Sequence, residues 1–124
     1  MGRVRIAFAT NKNKGLKDSV SKVFGRAQTF TVLDAEGEKI TELRILDNPA
    51  KTYQYGTGPI AVKMLADEGV EVVIANEFGV GASELLKQHN IEHISVKPNT
   101  KVGEALRIAI DKLKQEGALA EVRE

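Results

Sequence analysis

Apolar residues change their spacing several times along the chain, and each change marks an element. Over 3–10, Val4, Ile6 and Phe8 alternate with Arg5, Ala7 and Ala9, which predicts a strand. From Asn11 to Arg26 the pattern dissolves into Lys, Ser and Gly with Leu16, Val20, Val23 and Phe24 interspersed, so a long loop holding one short helical turn is expected. Segments 29–34 and 40–48 read as a hairpin turning at Gly37, with Phe30, Val32, Ile40, Leu43 and Ile45 as its apolar positions. A first helix opens with Thr57 or Gly58 as cap and Pro59 at the first helical position. Ile60, Ala61, Met64 and Leu65 give it one apolar face, and Gly69 stops it. The nearly unbroken Val/Ile run 70–76 is expected of a parallel strand covered on both faces. A second helix over 79–90 places Ala82, Leu85, Leu86 and His89 on one face and ends at Asn90, and 91–96 is a fifth strand. Pro98 and Thr100 introduce a third helix striped by Val102, Ala105, Leu106, Ala109, Ile110 and Leu113. Gly117 closes it, and 118–124 is expected to fray.

The order strand, hairpin, helix, strand, helix, strand, helix, joined by right-handed crossovers, gives an α/β fold of three layers. Its five-stranded mixed sheet has the order 3-2-1-4-5, strand 2 is antiparallel, and three helices cover the faces, a ribonuclease H-like topology. Residues 1–117 form one domain, with no internal repeat.

Composition narrows the chemistry. The 124 residues contain no cysteine, which excludes disulfides, thiol catalysis and thiolate-ligated metal; His, carboxylates and backbone remain as ligands. A net charge of +1 gives no basis for a general nucleic-acid binder. No apolar stretch has the length of a membrane span or the form of a signal peptide, so a cytoplasmic protein without membrane partners is expected.

Topology separates those charges. With strands 1, 3, 4 and 5 parallel, all three helices begin at the carboxyl edge of the sheet, where such folds bind ligands. Segments 10–27, 47–57, 76–80 and 97–101 gather there. They bring Lys12, Lys14, Lys17, Lys22, Arg26, Lys51, Lys97 and Lys101 against Asp18, Asp47 and Glu77, a local surplus of five positive charges. That edge attracts anions, although loop lysines are also what an ordinary solvated surface contains. The pairs Gly56/Gly58 and Gly79/Gly81 stand where helices begin, positions that serve chain reversal and equally let backbone amides approach a ligand. The run GVGASE is not a dinucleotide fingerprint, because Glu84 replaces its third glycine and it follows the wrong strand.

A nuclease needs several carboxylates at the ends of the central strands, and only Glu77 is available. Asp34 belongs to the opposite edge and Asp47 to a turn. His89 reads as a packing or capping residue and His93 as a strand residue, and neither joins a catalytic triad. No enzymatic constellation emerges. Tyr53 and Tyr55 suit either a ligand mouth or a lid over the sheet edge.

The segments VSKVFGRAQTFTVLD, DNPA, GTGPIAVKMLADEGVEVVIANEFGVGASELLKQHNIEHISV and TKVGEAL resemble the dinitrogenase iron–molybdenum cofactor biosynthesis family. The likeness runs from about Val4 to Ile110, and its most telling parts are Phe24-Gly25-Arg26-Ala27, Asn48-Pro49, the glycine-opened helices and Val102 to Leu106. It implies a ribonuclease H-like fold and a protein that binds or carries iron–sulfur-type cofactor precursors during metallocluster assembly. Family members often carry His before Phe-Gly-Arg, where this chain has Val23. Any cluster would therefore be held as an anion by charge, amides and Arg26. The expected cargo is an iron–sulfur or iron–molybdenum-type cluster, carried transiently, and the expected partners are that cluster or a small anion and the cluster-assembly proteins. The candidate site comprises Asn11, Lys12, Lys14, Lys17, Phe24, Gly25, Arg26, Gly56, Gly58, Gly79 and Gly81, with Arg26 as a forked charge and the three lysines as a mobile lid. The alternative is a regulatory or protein-interaction module that kept the fold without the cluster.

Overall fold

A computed structural model describes residues 2–116; the expected stop at Gly117 and the 118–124 tail lie outside the described residues. Strands β1 (Val4–Thr10), β2 (Thr29–Glu36), β3 (Lys39–Asp47), β4 (Val72–Ala75) and β5 (Glu92–Ser95) form one sheet in the order β3-β2-β1-β4-β5. β2 is antiparallel to both neighbours, and β1, β4 and β5 are parallel. Helices α1 (Thr57–Asp67), α2 (Val80–Gln88) and α3 (Val102–Gln115) complete an α/β fold of the expected topology.

Strand alternation builds two cores of different texture. Val4, Ile6 and Phe8 of β1 join Leu33, Ile74, Ile94 and the α3 stripe on one face. Ala7 and Ala9 face the other way, toward Phe30, Val32 and the buried sides of α1 and α2. Small residues there let two helices approach the centre of the sheet closely, whereas the single helix α3 meets large aliphatic side chains. All six predicted α3 stripe residues are buried.

Several boundaries differ from the sequence pattern. The 11–26 loop holds two 3-10 turns rather than one, Gly15–Lys17 and Phe24–Arg26. α1 is capped by Gly56, whose φ of 73° is a left-handed conformation open to glycine. Pro59 therefore occupies the third helical position, where its missing N–H still costs no helical hydrogen bond. His89 is exposed and does not pack; its backbone N–H, bonded to the carbonyls of Leu85 and Lys87, makes the helix-end contact expected of its side chain. His93 is half-buried, its ring 4.9 Å from that of Phe78 in an edge-on arrangement.

At the amino edge, the carboxyl end of α1 is closed by side chains. Arg5 donates through Nη1 to the Glu68 carbonyl at 2.8 Å and through Nε and Nη2 to both oxygens of buried Asp34. Arg44 pairs with the Glu68 carboxylate at 2.7 Å. The bidentate hydrogen bonding from Arg5 holds the Asp34 carboxyl below the usual carboxylate range.

Arg5→Met should destabilise the fold by about 2 kcal/mol at neutral pH, since it strands a buried carboxylate and uncaps α1. The lowered Asp34 pKa contributes stability present in full above the unfolded value of about 3.9 and lost as pH falls through the folded value. Urea unfolding across an acid pH series checks this: the gap between wild type and variant should narrow as the solution is acidified through that window.

Candidate functional site

The loop between β1 and β2 does not hang freely beyond the carboxyl edge; it is stitched across it. Val20 is buried in the core on the α3 side and Phe24 in the core on the α1/α2 side, so residues 20–24 pass from one face of the sheet to the other. Backbone bonds fix the passage at every step. Ser21 N–H donates to Ala9 at the end of β1, Asn76 and Glu77 beyond β4 donate to Ser21 and Lys22, and Phe24 donates to Glu77. This strap divides the edge into two lobes.

The first lobe lies on the α1/α2 side. Buried Gly25 presses against α1 so closely that a Cβ there would stand 2.6 Å from Thr57 Oγ1 and 2.8 Å from the Gly58 nitrogen. A Cβ on Gly58 would meet the Ala82 Cβ at 3.2 Å, so the first turns of α1 and α2 lie against each other. Arg26, Gly56, Gly58, Gly79 and Gly81 thus share one side of the molecule. The two helix starts are unusually bare: neither α1 nor α2 has a side-chain cap or an acidic residue in its first turn. The first intrahelical bonds are from Ile60 to Gly56 and from Ser83 to Gly79. The amides of Thr57, Gly58, Val80, Gly81 and Ala82 consequently have no acceptor among the described residues. Gly79, at φ 80° and ψ 156°, adopts a backbone region that is essentially glycine's alone.

Unpacked apolar side chains flank these amides. Val80 at the first position of α2 is 85% exposed, and Tyr55, next to the α1 cap, is 79% exposed. Tyr53, 52% exposed, belongs to the same loop, and that loop is held by Arg26, whose Nη1 and Nη2 donate to the carbonyls of Tyr53 and Gln54 at 2.7 and 2.8 Å. The guanidinium fork is therefore engaged in organising the loop, with its remaining N–H donors left over. Asn48 anchors the other end of this loop, donating to the carbonyls of Gly25 and Ala27 and accepting from the Ala50 N–H. Phe24 contributes no side-chain atom to the surface, being fully buried against Phe30 and Phe78.

The second lobe lies on the α3 side and takes the rest of the candidates. The turn Gly15–Lys17 packs toward β3, where a Cβ on Gly15 would lie 3.5 Å from Leu43 and 3.6 Å from Ile45, and toward α3. Asn11 donates to Ser19 Oγ, the Val20 carbonyl and Asn99 Oδ1. The Asp18 carboxylate, only 2% exposed as a residue, accepts from the N–H groups of Lys12, Lys14 and Ser19. Lys12, Lys14 and Lys17 are therefore not a lid over the glycine pairs: the strap and the sheet lie between them, and their loop is built around a buried carboxylate. α3 also differs from the other helices at its start, since its Val102 N–H is taken by the Asp18 carbonyl and Glu104 lies in its first turn.

Sequence reasoning missed the amides of Thr57, Val80 and Ala82. The available signal was an absence, the lack of Ser, Asp or Asn at two helix caps and of Asp or Glu in the turns behind them. No group of three or more His, Asp or Glu that could hold a metal ion occurs among the described residues.

The family model described as dinitrogenase iron-molybdenum cofactor matches residues 2–112. An uncharacterised protein of Methanocaldococcus jannaschii is 24% identical over 108 residues, 87% of this chain and 86% of its own. The apo form of the orange protein from Desulfovibrio gigas is similar at a TM-score of 0.79 and 29% identity, over 87% of this chain and 88% of that one. A NifB-like protein from Thermotoga gives 0.66 and 28%, over 95% and 90% of the two chains.

Gly25→Ala should cost about 1–3 kcal/mol, because the new methyl meets the Thr57 hydroxyl and the α1 backbone rather than a yielding side chain. Gly103→Ala in α3, with open space at its Cβ, should stabilise by up to about 1 kcal/mol. Thermal melts of the two variants check the contrast, and amide exchange in Gly25→Ala should show α1 loosened at its start.

Proposed function

This chain belongs to the dinitrogenase iron–molybdenum cofactor family, and from that premise we propose that it is a non-enzymatic carrier of an anionic iron–sulfur-type metallocluster or its precursor. The guest is cargo, received from and passed to cluster-assembly proteins. The observation that carries this reading is the pair of uncapped helix starts, where five first-turn amides have no acceptor among the described residues and neither first turn holds a carboxylate. Such a surface attracts negative charge through both the helix dipoles and directed N–H donors. The existence of an apo form of a related protein is in keeping with a family whose members take a guest.

The chemistry of the donor set determines how the guest is held. Without thiolates, and with no cluster of metal-ligating side chains among the described residues, the site offers hydrogen bonds and charge rather than metal–ligand bonds. Thr57, Val80 and Gly81 supply the amides, and Gly56 and Gly79 keep the approach clear of side chains. Arg26 holds the 49–56 loop beside them and lends its positive charge, while the exposed side chains of Tyr53, Tyr55 and Val80 offer apolar contact to the guest. Binding of this kind is reversible, as a carrier requires.

The lack of a ligating side-chain cluster among the described residues, with Val23 at the position before Phe24-Gly25-Arg26, favours the second reading, a regulatory or interaction module without cargo. Anaerobic reconstitution with iron and sulfide separates the two. A carrier should become coloured and melt higher, by an amount that reaches about 2.7 kcal/mol of stabilisation at a hundredfold excess over the dissociation constant. A protein that stays colourless and unshifted supports the module.

Gly81→Glu gives a sharper signature. Its Cβ enters open space, and a carboxylate in the first turn of α2 should raise stability by about 1 kcal/mol while occupying the positive helix end. The expected result is a higher melting temperature with loss of the reconstituted absorbance; a stabilised variant that still takes up cluster would overturn the amide site.

A further inference from the structure

The second lobe is a different kind of surface from the first. Lys12, Lys14, Lys17, Lys97 and Lys101 are all exposed there, and none takes part in an ion pair among the described residues. The carboxylate that could neutralise them, Asp18, is turned inward onto the backbone amides of the same loop. Positive side chains are thus displayed while the carboxylate of the 11–19 loop is spent on loop architecture.

The display is also held in register. The two lysine-bearing loops are joined by the Ser19–Lys101 bridge, by exchange of backbone bonds between Val20 and Asn99–Thr100, and by the Asn11–Asn99 side-chain bond. Lysines on loops fixed in this way lose less freedom on binding than lysines on free segments. Leu16, 41% exposed, stands between Lys14 and Lys17 as an apolar point within the basic field.

We propose that this α3-side lysine lobe is a docking surface for an acidic face of a partner protein, separate from the anion site on the α1/α2 side. Charge complementarity sets the sign of the partner, and the surrounding charges set its size. The exposed flank of α3 mixes Glu104, Asp111 and Glu116 with Arg107, Lys112 and Lys114, so the purely basic field ends within the first turn of that helix. A nucleic-acid groove tracks the backbone further and stacks bases on aromatic or arginine side chains. Among the described residues this lobe contains neither: the cations of its two loops are all lysine, and the exposed tyrosines lie on the other lobe. A compact acidic patch with an apolar centre to meet Leu16 is the complementary surface.

The proposal stands whether or not the first lobe carries a cluster, and its test reads a different set of residues. Uniformly labelled protein is titrated with a glutamate-rich peptide bearing two central leucines, and in parallel with an oligothymidylate of equal charge. The peptide should shift the amides of 11–19 and 97–101 and bind at least tenfold more tightly at about 50 mM than at about 200 mM salt. Lys14→Glu and Lys101→Glu should each weaken it about tenfold and Leu16→Ser severalfold, with unchanged melting curves, while Arg26→Ala leaves it alone. Lys14→Gln and Lys101→Gln serve as gentler versions if either reversal disturbs the fold. Peptide shifts centred on Thr57–Gly58 and Val80–Ala82, affinity within twofold of wild type in the lysine variants, or tighter binding of the oligothymidylate through the same lysines would each overturn the proposal.

Discussion

Parallel pairing of β1, β4 and β5, with β3 pointing the same way, obliges every helix to begin at one edge of the sheet and end at the other. Partial positive charge therefore accumulates at the carboxyl edge and partial negative charge at the amino edge, whatever the side chains are. The chain treats the two poles differently. At the amino edge the α1 terminus is closed by Arg5, itself locked to buried Asp34, and Arg44 closes on Glu68. At the carboxyl edge the starts of α1 and α2 are left to glycine. Side chains thus close the carboxyl end of α1, whereas the starts of α1 and α2 carry no side-chain cap.

The strap across the ends of β1 and β4 turns that open edge into two surfaces with separate capacities. On one side the first helix amides have no acceptor among the described residues, and exposed apolar side chains stand beside them in the sequence. On the other the helix end is satisfied by the Asp18 carbonyl, and charge is carried by long flexible lysines instead. Directed short-range donors suit a small anion held close to the backbone. Diffuse long-range charge suits encounter with a large acidic surface.

The architecture was readable because it depends on patterns that repeat. The α3 stripe, the Val/Ile run of β4 and the Gly37 hairpin each express a period or a turn chemistry, and the handedness of crossovers did the rest. The site was only half readable. Placing Arg26 with the glycine pairs needed nothing beyond strand order, and the structure keeps them together. Placing Lys12, Lys14 and Lys17 needed the path of an irregular loop, which is set by isolated backbone bonds such as Ser21 to Ala9 and Val102 to Asp18 that carry no residue signature. Likewise Gly25 and Gly58, candidates for ligand contact, are occupied in packing α1 against the second 3-10 turn and against α2. A glycine written in a sequence does not say whether the space beside it awaits a ligand or a neighbouring backbone.

The glycine caps bear on how the fold weighs stability against access. Relative to Ser or Asp, glycine at a helix cap gives up only a few tenths of a kcal/mol, and an empty first turn forgoes a further 0.3–1 kcal/mol of dipole compensation, roughly 1 kcal/mol for each of two helices. Against a core in which Phe8, Phe24, Phe30, Leu65, Ile74 and Leu86 are all fully buried, a loss of that size is readily borne. A side-chain cap would recover it, but its oxygen would take up the amides that make the rim attractive to an anion. The packing of Gly25 and Gly58 fixes the two helices against each other, and with them the first-turn amides that have no acceptor among the described residues.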